Sequence, residues 1–139
     1  YQIKTDNLVY IDDYAHHPTE INAVHQAVRE LYPNEKVLAI FQPHLFSRTR
    51  DFADDFAKSL SAFDEVLLLD IYPARELPME GITSDWLLDK MTNDDTKVVS
   101  KSDLIPSTLK SNCKVIVTIG AGDIGELVKT IKIALNENI

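Results

Sequence analysis

Four short stretches of this chain gather side chains that could act on a ligand together. The first, Asp12-Asp13-Tyr14-Ala15-His16-His17-Pro18, packs two carboxylates, a phenol and two imidazoles into a single turn's length. Carboxylates accept hydroxyl protons, and imidazole is the side chain that gains and loses its proton near neutral pH. In the second, Phe41-Gln42-Pro43-His44-Leu45-Phe46-Ser47-Arg48-Thr49-Arg50-Asp51, three cationic or donor side chains stand near the start of an expected helix. Free N–H groups at a helix start favour an anion, and a guanidinium fork grips a carboxylate or phosphate with two parallel hydrogen bonds. His44 with Arg48 therefore reads as an anion-recognition pair. Arg50 reads rather as a surface partner of Asp54, an exposed pair of small energetic effect.

The other two stretches are less specific. Asp70-Ile71-Tyr72-Pro73-Ala74-Arg75-Glu76 begins a long loop, a common place for function; its Arg75 can reach a partner domain or pair with Glu76 or Glu80. Gly120-Ala121-Gly122-Asp123-Ile124-Gly125 fits G-x-G-x-x-G on paper but sits in the last unit of the chain. No further strand follows to carry a ribose-binding acid, so the glycines read as a tight strand-to-helix turn and Asp123 as a helix cap.

What the chain lacks narrows the chemistry. Adjacent His16 and His17 project in different directions and lack the i, i+4 spacing of a helical zinc pair, so no metal site is expected. Neither a G-x-x-x-x-G-K-[ST] phosphate loop nor a G-x-S-x-G nucleophile elbow occurs. The one cysteine, Cys113, excludes an internal disulfide and reads as a half-buried thiol before an apolar run. A net charge of −8 provides no positive field for nucleic acid or an anionic membrane, so any anion must be held by a local cluster. No apolar run approaches the ~20 residues that span a bilayer, and no signal peptide is visible; a cytoplasmic protein is expected. The chain starts at Tyr1 and reads as a piece cut from a longer polypeptide.

The elements that must position these residues alternate between strand and helix. Leu8-Val9-Tyr10-Ile11 reads as a strand, with the residues before it folding back as a small hairpin around Thr5-Asp6-Asn7. A helix is expected from Pro18, with Ile21, Val24, Val28 and Leu31 on one face, stopped by Tyr32-Pro33-Asn34. Val37-Leu38-Ala39-Ile40-Phe41 reads as a strand buried on both faces. A helix follows with Phe52, Phe56, Leu60 and Phe63, capped by Ser47 or Thr49. Val66-Leu67-Leu68-Leu69 is the next strand, then the loop of residues 72–83 and a short helix with Trp86, Leu87, Leu88 and Met91. Lys97-Val98-Val99 is a short strand, residues 102–110 a helix with Pro106 near its first turn, Val115-Ile116-Val117-Thr118-Ile119 the last strand, and a final helix buries Ile124, Leu127, Val128, Ile131 and Leu135. Such alternation specifies one α/β domain: three Rossmann-like layers, a mostly parallel sheet with helices on both faces and one antiparallel edge strand. In such a sheet the ligand crevice lies off the carboxyl ends of the strands. All four stretches fall there, with three of the four histidines and three of the four arginines.

The first two motifs resemble the signatures of the C-terminal domain in the Mur ligase family, specifically its L-alanine-adding branch, and the Asp70 and Gly120 stretches match further along in the right order. The resemblance covers essentially the whole of residues 1–139. It implies a single C-terminal domain excised from a three-domain enzyme whose other parts are a UDP-sugar domain and a P-loop ATPase domain. That enzyme would join L-alanine to UDP-N-acetylmuramate through an acyl phosphate made from ATP, with magnesium ligands outside this domain. By position, Asp13 would meet the ATP ribose, Tyr14 and His16 would line the nucleotide and the reacting centre, and His44 with Arg48 would take the amino acid. Leu45 departs from relatives that carry a basic residue there. The alternatives are the related ligase that recycles a tripeptide and a non-catalytic nucleotide-binding regulatory or scaffold domain.

Overall fold

The computed structural model describes residues 1–137. Six strands form one sheet in the order β1-β2-β6-β3-β4-β5: β1 (Ile3–Lys4), β2 (Val9–Asp13), β3 (Val37–Phe41), β4 (Glu65–Leu68), β5 (Thr96–Val98) and β6 (Val115–Ile119). Only β1 runs antiparallel, folding onto β2 with Ile3 opposite Tyr10. The reversal is local: Thr5 Oγ1 accepts from the amides of Asn7 and Leu8. The remaining neighbours are parallel, which requires a crossover after each strand.

The alternation of side chains along the central strands builds two cores. Val37, Ala39 and Phe41, with Val115, Val117 and Ile119, face one side, where α1 (Pro18–Leu31), α3 (Ala53–Leu60) and α4 (Ser84–Leu88) supply Ile21, Val28, Phe56, Leu60 and Leu87. Leu38, Ile40 and Ile116 face the other, covered by Leu104 of α5 (Lys101–Leu109) and by Val128, Ile131 and Leu135 of α6 (Val128–Glu137). The three-layer reading of the sequence therefore holds. β6 leaves its end toward the second face while β2 and β3 on either side feed helices on the first, so the sheet's carboxyl edge splits around β6.

Several local expectations are corrected. Leu31 is 61% exposed although Ile21 and Val28 are buried. At ~100° per residue, position 31 has rotated roughly 80° from Ile21 and left the apolar stripe. The helix after β3 is two pieces, α2 (Phe46–Asp51) and α3, broken at Phe52. Neither Ser47 nor Thr49 caps it; the cap position is Leu45, and the Thr49 hydroxyl donates inward to the Leu45 carbonyl. Pro106 lies well inside α5, because Ser100, accepting from the Asp103 amide, starts that helix early. The last helix opens as a 3-10 turn, Asp123–Leu127, before α6.

Candidate functional site at the carboxyl edge of the sheet

The first motif turns at the end of β2 through short-range bonds. Asp13 Oδ1 accepts from the Ala15 amide at 2.9 Å, and the Asp13 carbonyl accepts from Gly120, tying β2 to the glycine turn beyond β6. His17 caps α1, its Nδ1 accepting from the Thr19 amide, and packs edge-on to Phe52 at 4.9 Å between ring centres. Glu20, three residues on, reaches back to the His16 amide; that bond, first among the causes, holds its carboxyl below the usual range. With His17 spent on the cap, His16 is left half-exposed at the edge, and Tyr14 stands 72% exposed beside it at 6.0 Å.

The second motif meets the first at His44. Its ring lies 6.0 Å from His16 and stacks on Tyr72 at 5.5 Å with 15° between planes. A parallel bridge joins His44 to Tyr72: the Leu45 amide donates to the Tyr72 carbonyl and the Tyr72 amide to Pro43. Making that bridge while starting α2 forces Leu45 to φ 73°, a left-handed backbone unfavourable for a bulky residue. One turn on, Arg48 donates to His44 Nδ1 at 3.1 Å. Burial, then the Arg48 charge and His16, hold the pKa of the His44 imidazole below its ordinary value.

The structure thus brings Tyr14, His16, His44 and Arg48 into one cluster, with Asp13 at its root on β2. Arg50 does not join it: it is exposed and pairs with Asp51, not Asp54, which instead meets Lys90. Arg75 is exposed and pairs with neither Glu76 nor Glu80, because Glu76 turns to Ser47. That contact corrects the anion reading of the helix start: Glu76 Oε1 already accepts from the Ser47 amide at 3.1 Å, and the Ser47 hydroxyl donates to the same carboxylate. Asp123 is no helix cap either; its carboxylate takes Gln42 Nε2 at 2.5 Å and Lys101.

Gln42, Tyr72, Glu76 and Lys101 were not visible as site residues in sequence. Gln42 is 3% exposed and uses both ends of its amide, Oε1 accepting from Ile124 at 2.9 Å while Nε2 holds Asp123. Those bonds weld β3 to the turn beyond β6. Gly122 permits the approach: a Cβ there would lie 2.6 Å from Gln42 Oε1 and 2.7 Å from the Tyr72 ring. Gly120 and Gly122 are packed against protein, as the strand-to-helix reading requires, whereas a Cβ at Gly125 would meet nothing within 4 Å. For Gln42, Tyr72 and Glu76 the only available signal was membership of the same four stretches; Lys101 lies outside them and carried none.

Residues 1–131 match the family model described as Mur ligase, glutamate ligase domain. The chain belongs to this family. It is 77% identical over 139 residues to the UDP-N-acetylmuramate–L-alanine ligase of Flavobacterium johnsoniae, covering 100% of this chain and 31% of that protein. The protein of the same name from Flavobacterium psychrophilum is 74% identical over 137 residues, covering 99% and 31%. Among solved structures, the UDP-N-acetylmuramate-alanine ligase of Thermotoga maritima superposes with a TM-score of 0.71 at 27% identity, covering 94% of this chain and 27% of that one. This Mur ligase domain therefore spans about a third of the length of the curated relatives it matches.

The magnesium that the family implies does not fit the residues present. Among the described residues no three His, Cys, Asp or Glu side chains gather as a ligand set. Asp13 spends one oxygen on its own turn, and Glu20 spends one on the His16 amide.

Proposed function

We propose that this chain is the C-terminal domain of a three-domain, ATP-dependent ligase that joins L-alanine to UDP-N-acetylmuramate in the cytoplasm, an amide-forming step of peptidoglycan precursor synthesis. The observation that carries the reading is 77% identity along the full chain to a protein of that name. The clustering of His16, His44 and Arg48 at the carboxyl edge supports it, because the reaction needs an amino acid held by its charged ends beside a group that handles protons.

In this reading ATP phosphorylates the muramoyl carboxylate, the alanine amine attacks the acyl phosphate, and phosphate leaves as the amide forms. Asp13 accepts a ribose hydroxyl, and exposed Tyr14 lines the nucleotide beside His16. Arg48 binds the alanine carboxylate with His44 as a neutral donor at its side. His16 faces the reacting centre. The phosphate loop, the UDP-sugar site and the magnesium ligands belong to the rest of the polypeptide. The domain contributes positioning and closure, large effects in acyl and phosphoryl transfer. A net charge of −8 gives no field for nucleic acid, and no described helix is long and apolar enough to cross a membrane.

The test is the full-length enzyme with UDP-N-acetylmuramate, magnesium-ATP and L-alanine, following phosphate release and the amide product together. Ligation dependent on all three is the expected result. Preference for a tripeptide over free alanine, or nucleotide binding without ligation, would overturn the reading in favour of the recycling ligase or a scaffold domain.

A further inference from the structure

The two imidazoles of the cluster are held in opposite hydrogen-bonding states by atoms whose polarity is fixed. His16 Nδ1 lies 3.1 Å from the Tyr14 carbonyl and 3.6 Å from Glu20 Oε1. Neither oxygen can donate, so Nδ1 carries the hydrogen and the lone pair of neutral His16 is on Nε2. His44 is the reverse. A guanidinium can only donate, so His44 Nδ1 accepts from Arg48 and the hydrogen is on Nε2. Protonating His44 would break that bond and add a charge beside Arg48, whereas His16 can take a proton at Nε2 without losing any contact. The groups facing His16 are Tyr14 from its own turn, Glu20 from α1 and His44 from the β3–α2 connection, with Arg48 behind His44.

Resting on the functional reading above, we infer that His16 Nε2 is the base that removes the ammonium proton of the incoming amino acid, while His44 is a fixed donor that never titrates during turnover. Alanine arrives as an ammonium and cannot attack until a proton leaves. One proton passes to His16 Nε2, freeing the nitrogen lone pair. The C–N bond then forms at the acyl carbon and the bond from that carbon to the phosphate oxygen breaks. A second nitrogen proton leaves with the departing phosphate, giving the amide and hydrogen phosphate. His16 then returns its proton to water, so the balance is closed without another co-reactant. Arg48 fixes the geometry by holding the carboxylate of the same amino acid, and it stands one ring away from the base.

Hydroxylamine isolates this step, because its nitrogen is already unprotonated at neutral pH and intercepts an acyl phosphate without a base. The full-length enzyme is compared with its His16→Asn and His44→Gln variants using alanine and hydroxylamine as nucleophiles across pH. Asparagine keeps a donor to the Tyr14 carbonyl and removes the basic nitrogen; glutamine keeps a donor near the position of His44 Nε2. For His16→Asn we expect kcat/KM for alanine to fall by about 10²-fold or more, with the acidic limb of its pH profile abolished and hydroxamate formation falling far less than alanine ligation. For His44→Gln the limb stays while the alanine KM rises. Equal losses with both nucleophiles in His16→Asn, or loss of the acidic limb in His44→Gln instead, overturn the assignment. Absence of both products with the unmodified enzyme overturns the functional reading itself.

Discussion

In the proposed reading, Arg48 is the side chain on which amino-acid selection rests. Alanine offers only a methyl group, and a methyl contact discriminates by about 1–3 kcal/mol, whereas truncating one partner of a buried charge pair costs roughly 2–5 kcal/mol. In the full-length enzyme Arg48→Ala should raise the alanine KM steeply and leave ATP binding nearly intact. Arg48→Lys should rescue poorly, since an ammonium reproduces neither the two-pronged grip nor the bond to His44 Nδ1. Steady-state kinetics with alanine and ATP titrated separately decide it, and a selective ATP defect would count against the assignment. His25 supplies a different residue-scale test, away from the cluster. Its ring packs against Phe63 at 5.0 Å and its Nε2 accepts from Arg29. Burial first, then the Arg29 charge, lower its pKa, as burial and Arg48 lower that of His44. The unfolded chain takes up protons in the ordinary histidine range near ~6.5, while the folded rings resist until lower pH. The stability these neutral rings confer is therefore complete above that range and is lost as pH falls from it toward their depressed folded values. His25→Gln should flatten the dependence of urea stability between about pH 7 and 5; an unchanged slope would show that His25 does not titrate on unfolding.

Between elements, the contact that matters most is Gln42 with the Gly122 turn. An added Cβ at Gly122 meets Gln42 Oε1 at 2.6 Å and the Tyr72 side chain at 2.7 Å, and Gln42 cannot yield without releasing Ile124 and Asp123. Overpacking of this kind costs about 1–3 kcal/mol. Gly122→Ala should lower Tm by at least about 3 °C and, through the Tyr72–His44 stack, raise the amino-acid KM. Gly125→Ala, with nothing within 4 Å of its Cβ, should do neither. Thermal melts of the pair settle the point, and equal shifts would sink it. This contrast also marks how far the sequence could be read. The strands and the gathering of the chemistry-bearing turns were legible, because apolar periodicity fixes elements and parallel topology sends every strand's end to one edge, while the resemblance singled out Asp13, Tyr14 and His16 among them. Illegible were the contacts made by uncharged or distant groups: the break at Phe52, the Tyr72 bridge that strains Leu45, and Glu76 on the start of α2. Each depends on which loop lies beside which, and neither period nor spacing encodes that. Even the corrected pairs follow this pattern, since Arg50 found Asp51 rather than the Asp54 its helical spacing suggested once the helix broke between them.

At the scale of the molecule, the proposed function makes the cluster half of a site. Tyr14 is 72% exposed and Leu77, in the loop next to Glu76, is 84% exposed, so the edge that carries the chemistry presents apolar surface to solvent. The curated relatives are about three times as long as this chain, and in the proposed reading most of the enzyme lies outside it. Transition-state charge in phosphoryl transfer is stabilised chiefly by magnesium and a phosphate-binding loop, and no such loop occurs in this sequence. Fold and activity should therefore separate cleanly. Two cores close around the sheet without outside help, so residues 1–139 produced alone should melt cooperatively and keep the shifted titration of His25. The same preparation should neither hydrolyse ATP nor ligate alanine, even with magnesium and UDP-N-acetylmuramate present. In the proposed reading, adding back the upstream two-thirds as a separate polypeptide should restore only weak ligation, because a tethered domain closes at an effective concentration that a free one cannot reach. Magnesium-dependent ATP hydrolysis by the purified domain, abolished by Asp13→Ala, is the result that this division of labour does not allow.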